Sequence, residues 1–332
     1  MKITIGAIGT GLIVDEFLNA VEATENVRCT AVYSRRMETA RALADKHNIE
    51  NIYTDYGALL DDEAVNFIYI ASPNSLHYEH ALKALEKGKH VICEKPFTST
   101  VQEVKNLIDL AKEKNLFLFE AISTIHLPNY HKIKEKIKDI GNVKLVQCNY
   151  TQYSSRYDRF LQGEITNVFS PEFSGGALVD INIYNLHFVT GLFGKAGEVG
   201  YTANIAWNGI DTSGIVTLKY DDFVCECIGA KDSHSPNFII IQGTKGYIRL
   251  NSPAQNCLSF ELAIGDKTET YTEQTLANRL AYEVLEFGSI FRNKDLDKCY
   301  ELLKHSLKVM ETVVGARKHA GIVFAADDER RG

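Results

Sequence analysis

Proline is scarce in this chain, with six residues in 332, and tryptophan occurs once. So little proline excludes Pro-rich linkers and collagen-like repeats and leaves most of the length free to form helix or strand. No apolar run approaches the ~20 residues that a membrane-spanning helix needs. The opening Met1-Lys2-Ile3-Thr4-Ile5 has no basic region ahead of a cleavable apolar stretch, so a cytoplasmic protein is expected. Positive charge is in deficit: 36 Lys and Arg against 43 Asp and Glu give a net charge of −7. That balance argues against a nucleic-acid or anionic-membrane surface and for a small-molecule partner. The seven cysteines include no Cys-x-x-Cys pair and lie mostly in apolar strand-like runs, so they are expected to be reduced core residues. Cys225 and Cys227 would share a strand face and lack a second pair for zinc, so no metal is expected.

The length exceeds the ~250–300 residues at which single cores stop growing, so two domains are expected. As far as about residue 120, the runs Ile3–Ile8, Arg28–Tyr33, Asn66–Ile70, His90–Cys93 and Leu116–Phe119 alternate with amphipathic stretches. Such alternation predicts a parallel, doubly wound α/β sheet. Helical periodicity covers Ser75–Glu86, ended by Gly88, and Thr100–Lys114. After a linking helix over Tyr130–Lys138 come successive strands: Val143–Tyr153, Val199–Trp207, Gly214–Tyr220, Phe223–Ile228, Phe238–Gln242 and Tyr247–Leu250. Strands in succession predict a mainly antiparallel sheet. A helix over Gly176–Phe193 interrupts them, helices over Glu273–Phe291 and Leu296–His319 follow, and 327–332 reads as a solvated tail. The domains are expected at 1–122 and 123–332.

Two short motifs carry the chemistry. Gly9-Thr10-Gly11 closes the first strand, with Leu12 and Ile13 opening a helix and Val14 in the place of a third glycine. A glycine turn between strand and helix lets a dinucleotide pyrophosphate approach backbone N–H groups at the helix N-terminus. The second strand ends in Ser34-Arg35-Arg36, with no carboxylate for an NAD ribose. A hydroxyl and two guanidiniums suit a 2′-phosphate, so NADP is expected, with NAD possible. Ala71-Ser72-Pro73-Asn74, ahead of His77, lies at a strand's carboxyl end, where contact with the nicotinamide half is expected. His77, Glu79 and His80 do not form a metal set, because only two of them share a helix face.

The second motif, Glu94-Lys95-Pro96, puts an ammonium at the end of a later strand, where desolvation can tune it as an acid/base. Together with Ser72-Pro73-Asn74-Ser75-Leu76-His77 and Gly175-Gly176-Ala177-Leu178-Val179-Asp180, these motifs resemble the glucose-fructose oxidoreductase/inositol dehydrogenase/MocA family over nearly the whole chain. Gly243-Thr244-Lys245-Gly246 adds a further turn of that family. The resemblance implies a Rossmann domain and a C-terminal α+β domain whose large, open-faced, mainly antiparallel sheet makes homodimer or homotetramer contacts. It also implies that Lys95 is catalytic, that Tyr184 is its acid/base partner, and that Asp180 orients substrate or Lys95. Glu94 joins the residues expected around the cofactor.

Tyrosine rather than histidine at 184 resembles the subgroup of dimeric dihydrodiol dehydrogenase and D-xylose 1-dehydrogenase, and points away from inositol dehydrogenase. His187 could also reach the pocket or be a core histidine. Asn182 stands in place of the family's glycine, and Ser123-Thr124-Ile125-His126 in place of an aromatic and an arginine, which implies a smaller, more polar pocket suited to a sugar. Two other readings stay open: a nucleotide-sensing protein that kept the fold without the chemistry, and a trans-dihydrodiol dehydrogenase.

Overall fold

The computed structural model describes residues 2–327. Among them no helix is long and apolar enough to cross a membrane. The chain divides into two compact units, one comprising the residues up to Ala121 together with Leu276–Leu307, the other Ile122–Thr275 and the chain from Lys308.

The first unit alternates strand and helix: β1 (Ile3–Ile8), α1 (Leu12–Glu22), β2 (Val27–Tyr33), α2 (Met37–His47), β3 (Asn51–Tyr53), α3 (Tyr56–Leu60), β4 (Phe67–Ile70), α4 (His77–Glu86), β5 (His90–Glu94), α5 (Val101–Glu113) and β6 (Leu118–Ala121). All six strands are parallel, in the order β3-β2-β1-β4-β5-β6. The reversal of order beside β1 opens a crevice at the strands' carboxyl ends, the place where such sheets bind ligands. Thr100 accepts from the Glu103 N–H and Glu103 returns the bond to the Thr100 N–H, a capping box worth about 1 kcal/mol that fixes the start of α5.

The second unit contains α6 (Pro128–Lys136), β7 (Val143–Thr151), α7 (Tyr157–Leu161), α8 (Ile183–Phe193), β8 (Glu198–Ile205), β9 (Asp211–Lys219), β10 (Val224–Ala230), β11 (Phe238–Gly243), β12 (Gly246–Leu250), β13 (Phe260–Ile264) and β14 (Lys267–Tyr271). Its eight strands run in the order β14-β13-β12-β11-β7-β10-β9-β8. Every pairing is antiparallel except that of β7 with β10. The β13–β14 hairpin was not anticipated, because Lys267-Thr268-Glu269-Thr270 is an exposed edge strand without an apolar face.

Helices α9 (Leu280–Arg292) and α10 (Leu296–His319) close the chain. The expected boundary assigned all of 123–332 to the second domain, whereas α9 and the start of α10 belong to the first unit. A doubly wound sheet must be covered on both faces. The face carrying Ile5, Phe67, Tyr69, Ile92 and Phe119 is covered by α1 and α2 and by Leu280, Val284, Phe287 and Phe291 of α9. Phe287 stacks on Phe119 at 4.4 Å, and Phe291 meets Phe67 edge-on at 5.0 Å.

Two further expectations are corrected. Residues 273–279 do not open α9: the Glu273 N–H bonds Asn129 Oδ1 at 2.7 Å and Gln274 bonds the Asn256 carbonyl at 2.9 Å, which holds this stretch out of the helix. Asp327, read as part of a solvated tail, accepts a bond from the buried Arg317 at 2.8 Å, and residues 328–332 lie outside the described part. All seven cysteines are free and all but Cys29 are buried.

Candidate active site

In the first unit, Gly9 has φ +106°, and a Cβ on it would lie 2.6 Å from the Ala71 carbonyl oxygen. Its N–H bonds the Tyr33 carbonyl at 3.3 Å, so the turn sits between the ends of β2 and β4. Only glycine fits there. Gly11 is the N-cap of α1; it supplies no side chain to the first turn, and nothing stands within 4 Å of where its Cβ would be. Uncapped N–H groups facing open space make an anion site, and they fit a dinucleotide pyrophosphate. Thr10, Leu12 and Ile13 flank that space, with Leu12 82% exposed.

Ser34, Arg35 and Arg36 leave the end of β2. Ser34 Oγ lies 2.8 Å from Thr39 Oγ1, and Arg36 is the N-cap of α2, so both guanidiniums are carried on an exposed turn. The Arg35 charge acts on His80, whose imidazole is held down at about 4, chiefly by burial. His80 Nδ1 is 2.9 Å from Ser72 Oγ, and Tyr56 donates to the His80 carbonyl at 2.6 Å. Arg35 and Ser72 therefore border one region, as two contacts with the same cofactor require. His80 and Tyr56 gave no sequence signal beyond helix periodicity.

The Lys95–Pro96 peptide is cis. His77, expected to touch the cofactor, is instead buried, with Nδ1 2.9 Å from the Pro96 carbonyl and Nε2 2.9 Å from the Ser72 carbonyl. Burial keeps it below the ordinary imidazole range, so it is neutral and donates to one of these carbonyls at a time. It holds the Ala71-Ser72-Pro73-Asn74 loop and the Glu94-Lys95-Pro96 turn against each other and acts on a ligand only through them. Glu94 also turns inward. It is buried and accepts from the Tyr69 hydroxyl at 2.8 Å, and burial raises its pKa. Lys95, between them, is half-buried and follows directly on the end of β5.

In the second unit the chain winds as a π-helix over Leu178–Asn182 before entering α8. π-Turns inside helices occur frequently at functional sites. Asp180 lies in this turn and Tyr184 one turn later, and the ion pair from Lys231 to Asp180 Oδ2 was not anticipated. Lys231 follows β10 and is buried, a position that reads in sequence as an ordinary strand end. Tyr184 is 6% exposed, its ring 6.0 Å from that of Tyr150.

Asp211 fixes where this helix begins. It is buried, its carboxyl raised by burial, and it accepts from the Leu178 N–H at 2.6 Å and the Tyr201 hydroxyl at 2.7 Å. Gly176, at φ +109°, has no room for a Cβ, which would overlap Asp211 Oδ1; on Gly175 it would lie 2.6 Å from the Val168 carbonyl. Gly176→Ala is expected to destabilise the protein by about 2–4 kcal/mol, combining left-handed strain with loss of the Asp211 cap. A thermal melt unchanged from wild type would contradict this.

Asn182, expected to reshape the pocket, faces the sheet. It donates to the Cys227 carbonyl at 2.9 Å and accepts from Asn185 at 2.9 Å, and a Cβ on Gly229 would stand 2.6 Å from it. A larger residue at 182 is matched by a glycine opposite. Ser123, Thr124 and His126 are likewise buried in a short helical turn, as is His187 in α8.

A sheet of order 3-2-1-4-5-6, a glycine turn with an uncapped helix N-terminus and a lysine at a strand's carboxyl end define a nicotinamide-dinucleotide oxidoreductase. The chain belongs to the GFO/IDH/MocA family: residues 3–122 match its oxidoreductase domain with an NAD-binding Rossmann fold, and residues 130–249 its C-terminal domain. It is thus an NAD(P)-dependent oxidoreductase. It is 35% identical over 326 residues, 98% of this chain and 99% of the other, to the scyllo-inositol 2-dehydrogenase (NADP(+)) IolU of Bacillus subtilis. A trans-1,2-dihydrobenzene-1,2-diol dehydrogenase of Xenopus tropicalis is 30% identical over 254 residues, 74% of each chain. The 3-ketoreductase KijD10 of Actinomadura kijaniata, solved with NADP and TDP-benzene, superposes with a TM-score of 0.87 at 23% identity over 96% of this chain and 98% of that one. The subgroup expected from Tyr184 is represented among these relatives by the dihydrodiol dehydrogenase, and an inositol dehydrogenase stands beside it.

Proposed function

We propose that this protein is an NADP-preferring dehydrogenase or reductase of a cyclic polyol or sugar, with an inositol-like ring as the leading substrate class. The observation that carries the reading is a lysine at the end of β5 in a chain that also keeps Asp180, paired with Lys231, and Tyr184 on one helix. When bound, the nicotinamide accepts or supplies the hydride. Lys95 and Tyr184 remove the hydroxyl proton as the carbinol carbon loses hydride, and return it in reduction. The Lys231 ammonium holds the Asp180 carboxylate as a fixed acceptor for a substrate hydroxyl. Arg35 and Arg36 bind the 2′-phosphate. The open face of the eight-stranded sheet, with Phe238, Ile240, Gln242, Tyr247 and Arg249 on one groove, is the proposed homo-oligomer contact.

The test is absorbance at the reduced-nicotinamide band with NADP or NAD and a panel of inositols, aldoses and dihydrodiols. Turnover of inositols or aldoses supports the reading; turnover of dihydrodiols alone refutes it. Replacing both Arg35 and Arg36 by Ala should raise KM for NADP by about 10–100-fold, the worth of charge-assisted hydrogen bonds, with a much smaller effect on NAD. Equal losses with both cofactors would show that neither guanidinium reads the phosphate.

A further inference from the structure

Glu283 lies in the first turn of α9 with 0% of its surface exposed, and neither carboxyl oxygen has a hydrogen-bond partner. An ionised carboxylate in that setting would be unsolvated and unpaired, a state that proteins avoid by neutralising the group. Its surroundings explain why it is there. β4 and β5 pair Tyr69 with Ile92, so Glu94, two residues beyond Ile92, projects from the same sheet face as Tyr69. That is the face α9 covers, and Leu280, Val284 and Phe287 flank Glu283 in the same core as Tyr69 and Ile92. The Tyr69 hydroxyl bonds Glu94, and both Glu94 and Glu283 hold the Tyr69 phenol far above its usual range, after burial itself. Burial, and next the Glu94 charge, push the Glu283 carboxyl well above the ordinary carboxylate value; Glu120 adds to this and Arg279 opposes it. Arg279 faces Glu16 of α1 at 3.6 Å. Lys95 is the cation whose charge acts most on Glu94.

We propose that at neutral pH Glu283 is the neutral acid and Glu94 the anion, so that Glu283 adds no charge to the carboxylate that precedes Lys95. Glu283 is thereby a positioning residue. An anion at Glu283 would hold the Lys95 proton more tightly and slow its release to the next step. This consequence rests on the assignment of Lys95 as the acid/base, whereas the proton on Glu283 does not.

The test therefore uses no turnover. The infrared spectrum of the wild-type protein at pH 7 should show the C=O stretch of a protonated carboxyl. That band should be absent in Glu283→Gln, and in Glu94→Gln it should titrate away at a lower pH than in wild type, because the neighbouring charge has gone. Stability gives an independent reading. Below the ordinary carboxyl pKa of 4.5 the group is protonated in both folded and unfolded chains, and above it only the folded chain keeps the proton, so this group's contribution to stability falls as pH rises. Glu283→Gln lacks that penalty, and its melting temperature should draw above wild type between pH 4.5 and 7. A wild-type spectrum without the band at pH 7, or a melting difference independent of pH, would overturn the proposal. If Glu283→Gln does not fold, absence of the band from the wild-type spectrum still overturns the proposal, and its loss in Asp211→Asn, at another buried carboxyl raised by burial, would overturn it too.

Discussion

Lys95→Ala is expected to lower kcat/KM by about 10²–10⁴-fold, the range of a positioned general acid/base, while the Kd for NADP should change only a few-fold. The variant should fold, because the turn is held by its backbone: His77 reaches the Pro96 carbonyl, and the preceding Glu94 is anchored by Tyr69. Removing the ammonium removes charge and proton from the end of β5 and leaves the glycine turn proposed for the cofactor, on another strand, intact. Lys95→Arg should not rescue activity, since a guanidinium does not release its proton in the working pH range. Near-normal turnover in Lys95→Ala, measured at saturating NADP, would refute the catalytic assignment.

Tyr184→Phe is expected to lower kcat by about 10²-fold or more with KM little changed, and to remove one limb of the pH–kcat profile. The substitution deletes one hydroxyl from a buried ring and keeps the packing against Tyr150, so thermal stability should move by about 1 kcal/mol or less. If KM rises and kcat does not change, Tyr184 binds substrate without moving a proton. A loss in kcat equal to that of Lys95→Ala, with no further loss in the double variant, would show the two acting as one unit.

Lys95 was legible in a motif, Tyr184 only through the family resemblance. Glu94-Lys95-Pro96 and Gly9-Thr10-Gly11 are contiguous in the chain, and their chemistry depends on spacing along a strand and the turn after it. The parts that escaped notice depend on contacts between distant segments. Lys231 meets Asp180 across 51 residues, and Asp211 caps the Leu178 N–H across 33. His77 stood out beside Pro73 and Asn74, but its two nitrogens are spent on carbonyls at 72 and 96, which no local pattern records. Asn182 read as a pocket substitution because its compensation, Gly229, lies on another strand.

The sequence by itself determined the alternation that makes the first sheet parallel, the succession of strands that makes the second mainly antiparallel, and the glycine turn and lysine at two strand ends. These are consequences of periods two and 3.6 and of backbone conformations open only to glycine, all local properties. Only the tertiary structure decided that α9 returns to cover the bare face of the first sheet, because which apolar stripe fills which face depends on the area left uncovered. That return also carries Glu283 in behind Glu94, 189 residues away in the chain. Burial of a carboxyl without a partner is a property of the packed core that no stretch of sequence contains.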